Sequence, residues 1–357
     1  MRKEAQEILQ RGTVIPAMPL VLTPDRTFDE ARQRRLIRYY LEAGVGGLAV
    51  AVHTTQFAIR DEKVGLFEKV IQVAADEIAK WEAKNEKVIV KVCGVCGEVN
   101  AALKEAELAR NTGYDVVLLS PNGLNHLSEL EHLQRAEKVS HTMPVIGFYL
   151  QSAVGGKRFS ASYWKKLCEI ENVVAIKAAP FSRYGTLDIV RAVAETKRKT
   201  PIALYTGNDD NIVVDLLTTY DLGEEYPKVR FVGGLLGHWA VWTHKVVELY
   251  QTLCTEREKS VISQEMLTLA SQVTDANAAF FDSANQFAGC ITGIHEVLRR
   301  QGLLEGIWTL DPQETLSEGQ AEEISRVRRA YPHLADDDFV KEFLQKENEQ
   351  SAMDEED

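Results

Sequence analysis

Eight short apolar runs, spaced by amphipathic stretches across the first 255 residues, constrain this chain more than any other feature of its sequence. They read Val14–Leu22, Val45–Val52, Val88–Cys93, Asp115–Leu119, Pro144–Tyr149, Val173–Lys177, Pro201–Tyr205 and Val229–Leu235. Each is nearly continuous in Val, Ile, Leu or Ala rather than alternating with polar residues. That pattern belongs to parallel strands covered on both faces. Between them, Phe28–Ala43, Glu62–Trp81, Glu98–Asn111, Leu127–His141, Ser160–Ile170, Tyr184–Thr196 and Asn211–Leu222 carry helical periodicity. Eight strands alternating with helices predict an α/β fold, a (β/α)8 TIM barrel. The competitor is an open doubly wound sheet. It would place a Gly-rich dinucleotide turn after the first strand, where Leu22-Thr23-Pro24-Asp25 stands instead.

Helix punctuation agrees with this reading. Thr27 precedes Asp29 and Glu30, Ser128 precedes Glu129 and Glu131, and Gly44 and Gly113 sit where C-caps are wanted. From Trp239 onward the pattern is helical, over Ala240–Cys254, Glu256–Gln272, Gln286–Gln301, Ser317–Ala330 and Asp336–Lys346. The chain therefore divides into a barrel over 1–255, a C-terminal helical extension over 256–346 and a frayed acidic tail over 347–357.

Charge excludes several partner classes. With 41 basic and 53 acidic residues the net charge is −12, which argues against nucleic acid or an anionic membrane as partner. A small anionic ligand stays open, because a local site can oppose the global charge. No apolar run approaches the roughly 18 residues that a bilayer demands. Met1–Gly12 is polar and lacks the apolar core of a secretory signal. The five cysteines are odd in number and mostly scattered. These features predict a cytoplasmic protein with reduced thiols.

In a barrel the reacting groups stand at the C-terminal ends of the strands. Lys177 closes the run Val173-Val174-Ala175-Ile176-Lys177. A lysine carried into a barrel mouth is costly to keep charged, and a neutral amine is what attack on a carbonyl requires. The bland alternative is a lysine snorkelling to the rim. Val-Ala-Ile-Lys also occurs in protein kinases, but the Gly-rich loop, His-Arg-Asp and Asp-Phe-Gly elements of that fold are missing. Tyr149 ends the preceding strand, so its phenol is expected at the same mouth as a proton relay. Thr54 and Thr55 follow the second strand, where hydroxyls and turn amides can hold a carboxylate without a formal charge. Cys93 and Cys96 have CxxC spacing but no second ligand pair, and are read as small residues lining the barrel top. No metal site is predicted.

Together these residues resemble the dihydrodipicolinate synthase/N-acetylneuraminate lyase family of class I aldolases. That family carries a lysine at the end of the sixth strand, a tyrosine at the end of the fifth and a Gly-(Thr/Ser)-Thr-Gly-Glu loop after the second. Here the counterparts are Lys177, Tyr149 and His53-Thr54-Thr55-Gln56-Phe57, and the 28-residue gap between Tyr149 and Lys177 fits. Thr206-Gly207-Asn208-Asp209-Asp210 looks like the family's Ser-Gly-Asp-Asp segment, and the likeness spans roughly residues 13 to 300. It implies a Schiff base on Lys177 with pyruvate or another small 2-oxo acid, and no cofactor. It also implies a relay through Tyr149, carboxylate binding by Thr54 and Thr55, and a Thr55 hydroxyl linked to Tyr149. A homodimer or homotetramer is implied as well.

Departures from the pattern are specific. His53 and Gln56-Phe57 replace the loop glycines and glutamate, Val154 stands where the lysine-pathway synthases carry an arginine, and Pro121-Asn122-Gly123 replaces their second tyrosine pair. Dihydrodipicolinate synthesis is therefore not expected. His53, Asn208 and His238 are read as further substrate contacts. Three functions stay open: an imine-forming lyase or aldolase, a 2-oxo sugar acid dehydratase or hydratase-aldolase using the same imine, and a ligand-binding barrel without turnover.

Overall fold

Val14–Pro16 (β1), Gly47–Val50 (β2), Val90–Val95 (β3), Val116–Leu119 (β4), Val145–Leu150 (β5), Val173–Ala179 (β6) and Ala203–Thr206 (β7) are strands in a computed structural model that describes residues 1–354. Thr219–Tyr220 (β8) and Val229–Leu236 (β9) complete the set. The strand order is β1-β9-β7-β6-β5-β4-β3-β2, with every neighbouring pair parallel. β8 is a side ribbon, antiparallel to the start of β9. A parallel bridge between Ala17 and Ala49, with the Met18 amide donating to the Ala49 carbonyl at 2.8 Å, joins β1 to β2 and closes the circuit. The eight apolar runs thus form a (β/α)8 barrel.

Each strand sends alternate residues to two different cores. Ile15, Val90, Val92, Ile146, Ala175 and Tyr205 fill the barrel interior. Leu48, Val50, Cys93, Val117, Val145 and Ile176 face outward into the layer shared with the helices. Both faces are dry, which is why the runs read as continuous rather than alternating. The bottom of the barrel is plugged by a helix over Lys3–Arg11, whose Ala5 and Leu9 are fully buried. Tyr205, inside the barrel, donates its hydroxyl to the Leu9 carbonyl at 2.9 Å. Sequence periodicity passed over this short helix.

Several boundaries moved for identifiable reasons. The expected helix over Glu62–Trp81 begins only at Phe67, because 61–66 form turns ending at Gly65 with φ of +58°. Asn211–Leu222 is helical only over Ile212–Leu217, since Thr219 and Tyr220 pair with β9. The C-terminal helices, including Gln264–Phe280, Cys290–Arg300 and Gln320–Ala330, are not a separate layer. Their Phe280, Ile294, Val297 and Ile324 share one core with the barrel's outer face. The last helix runs Asp337–Asp354, into the stretch read as a frayed tail over 347–357, and Arg38 Nε donates to Glu347 at 2.9 Å. Residues 355–357 lie outside the described residues.

Candidate active site

β6 continues two residues past Lys177, so the lysine is held rigidly on a strand rather than on a loop. Its side chain faces into the barrel, 8% exposed. Burial pushes the amine well below the ordinary lysine value, and the charge of Asp209 opposes that shift. Gly207, after β7, makes room for it: a Cβ there would stand 2.5 Å from Lys177 Cε and 2.8 Å from Ala179 Cβ. Lys177, His53, Thr54, Gln151 and Asp209 line a common cavity of about 60 Å³ at the C-terminal end of the barrel.

The residue opposite Lys177 is Phe148, not Tyr149. β5 and β6 begin in register as Val145–Val173, a spacing of 28, but an irregularity follows, and Ile146 pairs with Ala175. From there the spacing is 29, so Phe148 pairs with Lys177 and Tyr149 with Ala178. One extra residue reverses which side chains share a face. The Lys177 Nζ lies 4.5 Å from the centre of the Phe148 ring. Tyr149 points outward, its ring 5.1 Å from Trp164 and 6.3 Å from Phe159. Burial pushes its phenol up, and the Phe159 backbone partly offsets that shift. The register therefore turns the Tyr149 phenol, expected at the mouth beside Lys177, toward the outer layer.

Thr54 and Thr55 sit in a 3-10 turn, His53–Thr55, immediately after β2. Thr54 Oγ1 donates to the Ala17 carbonyl at 2.8 Å and Thr55 Oγ1 to the Met18 carbonyl at 2.7 Å. The Thr55 amide is also engaged, by the Val52 carbonyl at 3.0 Å. Thr54 remains at the cavity, while Thr55 is fully buried behind it and bonds to the Met18 carbonyl, just past β1, rather than to Tyr149. His53 lies at the cavity wall, where burial, and then the Lys177 charge, hold its imidazole down to about 4. It stands there as a neutral donor or acceptor near pH 7.

Asn208 and His238 turn away from the cavity. Asn208 accepts from the Phe181 amide at 3.1 Å and donates to Thr186 Oγ1 at 3.2 Å and Asp215 Oδ2 at 2.9 Å. Its role is to pin Phe181, which sits in the left-handed region at φ +50°. The His238 ring packs toward the C-terminal helices, with Nδ1 3.2 Å from Asn277 Nδ2 and the ring 5.5 Å from Phe280. Only its backbone serves the site: the His238 amide donates to Asp209 Oδ1 at 2.9 Å.

Sequence reasoning missed Asp209, Phe148 and the aromatic residues over the cavity. Phe181 and Phe287 meet edge to face there, 5.6 Å apart, and Phe281 and Cys290 also come from the C-terminal region. Asp209 lay inside the Thr206–Asp210 turn, where Asn208, Asp209 and Asp210 are equivalent by spacing. Its carboxyl is pushed well up by burial, against the stabilising His238 amide and Lys177 charge. Among the described residues, no cluster of His, Cys, Asp or Glu could hold a metal ion. Cys93 and Cys96 are free and buried, and burial pushes both thiols up. No helix of the described residues is long and apolar enough to cross a membrane.

Comparison with known proteins agrees with this architecture. The chain is 24% identical to the 4-hydroxy-tetrahydrodipicolinate synthase of Desulforamulus reducens over 58% of its length and 66% of that protein. It is 26% identical to the corresponding synthase of Bifidobacterium longum over 56% of its length and 60% of that protein. The chain thus spans about 60–66% of the length of these synthases. Similarity to N-acetylneuraminate lyase 2 of Escherichia coli is 21% over 88% of this chain and 92% of the relative. In solved structures, the fold matches dihydrodipicolinate synthase from Oceanobacillus iheyensis with a TM-score of 0.72 at 16% identity, covering 92% of this chain and 99% of that one. It also matches N-acetylneuraminate lyase from Fusobacterium nucleatum complexed with pyruvate, with a TM-score of 0.69 at 16% identity over 91% and 99% of the two chains. The profile of the Dihydrodipicolinate synthetase family matches residues 10–225, and the chain belongs to that family.

Proposed function

We propose that this chain is a lyase of the class I aldolase type that condenses Lys177 with pyruvate or another small 2-oxo acid. The observation that carries the reading is the amine itself: a lysine buried on a barrel strand, depressed by desolvation and aimed into a small cavity. Its neutral form attacks the 2-oxo carbon, and loss of water leaves an iminium that withdraws electrons from the bond two carbons away. With the Thr54 and Thr55 hydroxyls and the Thr55 amide already committed, the other amides of the turn and the His53 ring are the neutral donors left for the substrate carboxylate. Membership in the Dihydrodipicolinate synthetase family, and the pyruvate complex of the N-acetylneuraminate lyase from Fusobacterium nucleatum, support the same class. We carry the homodimer or homotetramer of the family likeness as a proposal, measurable by light scattering.

The rest of the cavity bears on which 2-oxo acid. Leu150, Val154, Phe181, Phe281, Phe287 and Cys290 offer almost no hydrogen-bonding groups. Such a wall suits an apolar fragment and leaves polyhydroxylated fragments unsatisfied. This favours aldol cleavage, or a hydratase-aldolase sequence on an apolar enal, over dehydration of a sugar acid. The test is borohydride trapping with pyruvate followed by peptide mass spectrometry. A reduced adduct on the peptide carrying Lys177, absent from Lys177→Met, is expected. An unmodified Lys177, or an adduct elsewhere, overturns the reading.

A further inference from the structure

In an imine mechanism a proton must be removed from and returned to the carbon beside the iminium. The phenol expected for that task faces the outer layer, packed against Trp164 and Phe159. Phe148 stands in its place opposite Lys177 and carries no exchangeable proton. Thr54 has its hydroxyl proton committed to the Ala17 carbonyl, and His53 is held in its neutral form at the wall. Asp209 remains. It lines the cavity with Lys177, is 6% exposed, and is fixed by the His238 amide on one oxygen. No ion pair joins it to Lys177 among the described residues, although both line the one cavity and their charges act on each other.

We propose that Asp209 is the acid and base of this site, doing in this chain what a tyrosine phenol was expected to do. The inference rests on the imine reading above. In the forward sense, Lys177 Nζ bonds to the 2-oxo carbon, and the Asp209 carboxyl protonates the departing hydroxyl, which leaves as water. The Asp209 carboxylate then takes a proton from C3 of the iminium. The C–H electron pair becomes the enamine double bond, and the iminium nitrogen becomes neutral. Returning the proton to C3 regenerates the iminium. In aldol cleavage the same carboxylate takes the C4 hydroxyl proton, the C3–C4 bond breaks, the aldehyde leaves and the enamine collects the electrons. No oxidant, reductant or metal is needed. The raised Asp209 carboxyl agrees with such a role, because a group ionised at all working pH values could not donate.

Pyruvate alone tests this without knowledge of the natural acceptor. In deuterium oxide, enamine formation replaces the methyl protons of pyruvate with deuterium, which proton NMR follows directly. The full chain, Asp209→Asn, Asp209→Glu and Tyr149→Phe are compared, each also trapped with borohydride. Asp209→Asn should lose at least about 100-fold in exchange rate while a reduced adduct still forms on Lys177. Asp209→Glu should recover part of the exchange, and Tyr149→Phe should exchange within about twofold of the parent. Full exchange in Asp209→Asn, or a loss in Tyr149→Phe as large as in Asp209→Asn, overturns the proposal. If Asp209→Asn does not fold, Asp209→Glu decides: it keeps the carboxyl and must retain exchange, whereas its complete loss with adduct formation intact counts against the role. If the parent itself forms no adduct on Lys177, the imine reading fails, and that outcome is distinct from failure of Asp209.

Discussion

Phe148 and Lys177 are register partners on neighbouring parallel strands, with the lysine nitrogen 4.5 Å from the centre of the phenyl ring. This contact places an aromatic face, rather than a phenol, beside the amine. It keeps water from the lysine, and desolvation is the largest cause of its lowered pKa. The ring's attraction for the ammonium form opposes that effect, but such contacts contribute only about 0.5–2 kcal/mol. Phe148→Ser should therefore admit water and move the acid limb of imine formation toward higher pH. The limb is measured by borohydride trapping rates across pH; an acidward move contradicts the desolvation account.

Asp209 should be linked to the same limb with the opposite sign. Its negative charge is the one cause resolved as raising Lys177. Removing that charge lets the amine fall further, so more of it is neutral at a given pH. In Asp209→Asn the midpoint of the trapping-rate profile is expected to shift acidward of the parent's, which itself lies below the ordinary lysine value of 10.5. Trapping rates with pyruvate at several pH values give both midpoints. An alkaline shift in Asp209→Asn would separate the carboxylate from the lysine electrostatically.

Much of this architecture is legible in the residues. The eight runs became the eight barrel strands because both faces of each are dry, and Lys177 stood out because it closes a run at the end of the strand where a barrel places its reacting groups. The placement of Tyr149 was not legible because of one event, the irregularity between Val145 and Ile146. Nothing in Pro144–Tyr149 announces an extra residue on β6, and a slip of one exchanges Phe148 for Tyr149. Asp209 was hidden for a different reason. Asn208 and Asp209 are separated only by what they meet: Thr186 and Asp215 claim the first, the His238 amide the second. His238 itself was misplaced because its ring partner, Asn277, arrives from a helix far along the chain.

Gly207 should tolerate no side chain. An added Cβ would meet Lys177 Cε at 2.5 Å and Ala179 Cβ at 2.8 Å, and the second of these cannot swing away. Gly207→Ala is expected to displace the amine by a fraction of an ångström and slow trapping by about 10-fold or more, since small misplacements are costly in catalysis. Overpacking should also cost about 1–3 kcal/mol of stability. Parallel trapping and thermal melts separate the two; an unchanged trapping rate would mean the lysine does not occupy the place described.

At the other end of the barrel, Arg2 bridges Asp115 and Glu82 at 2.8 Å each and donates to the Ile89 carbonyl at 2.8 Å. Asp115 is 2% exposed, so Arg2→Ala leaves a buried carboxylate supported chiefly by the Lys91 amide at 3.0 Å. Breaking a buried pair costs several kcal/mol, but Arg2 is about a third exposed, so about 1–3 kcal/mol is expected. Denaturant melts measure it. Pyruvate trapping should be unchanged, because the bottom plug and the cavity lie at opposite ends of the strands.

Selectivity among aldehydes follows from the wall facing Lys177. Phe181 and Phe287 meet edge to face, and both hold positive φ, a backbone state that bulky residues adopt only when their surroundings compel it. Over the cavity they present ring surface that a hydroxylated chain cannot hydrogen-bond, and each unsatisfied hydroxyl costs about 1–3 kcal/mol on burial. With pyruvate as donor, an aromatic or branched aliphatic aldehyde should therefore exceed glyceraldehyde or erythrose by about 10-fold or more in kcat/KM. Replacing Phe287 with Ser should narrow that ratio, chiefly by slowing the apolar acceptor. Coupled assays of pyruvate consumption over such a panel give the ratio directly. A preference for the hydroxylated aldehydes would mean that the rings move aside or that other groups complete the pocket, and the apolar reading of the substrate would fall while the imine chemistry on Lys177 stood.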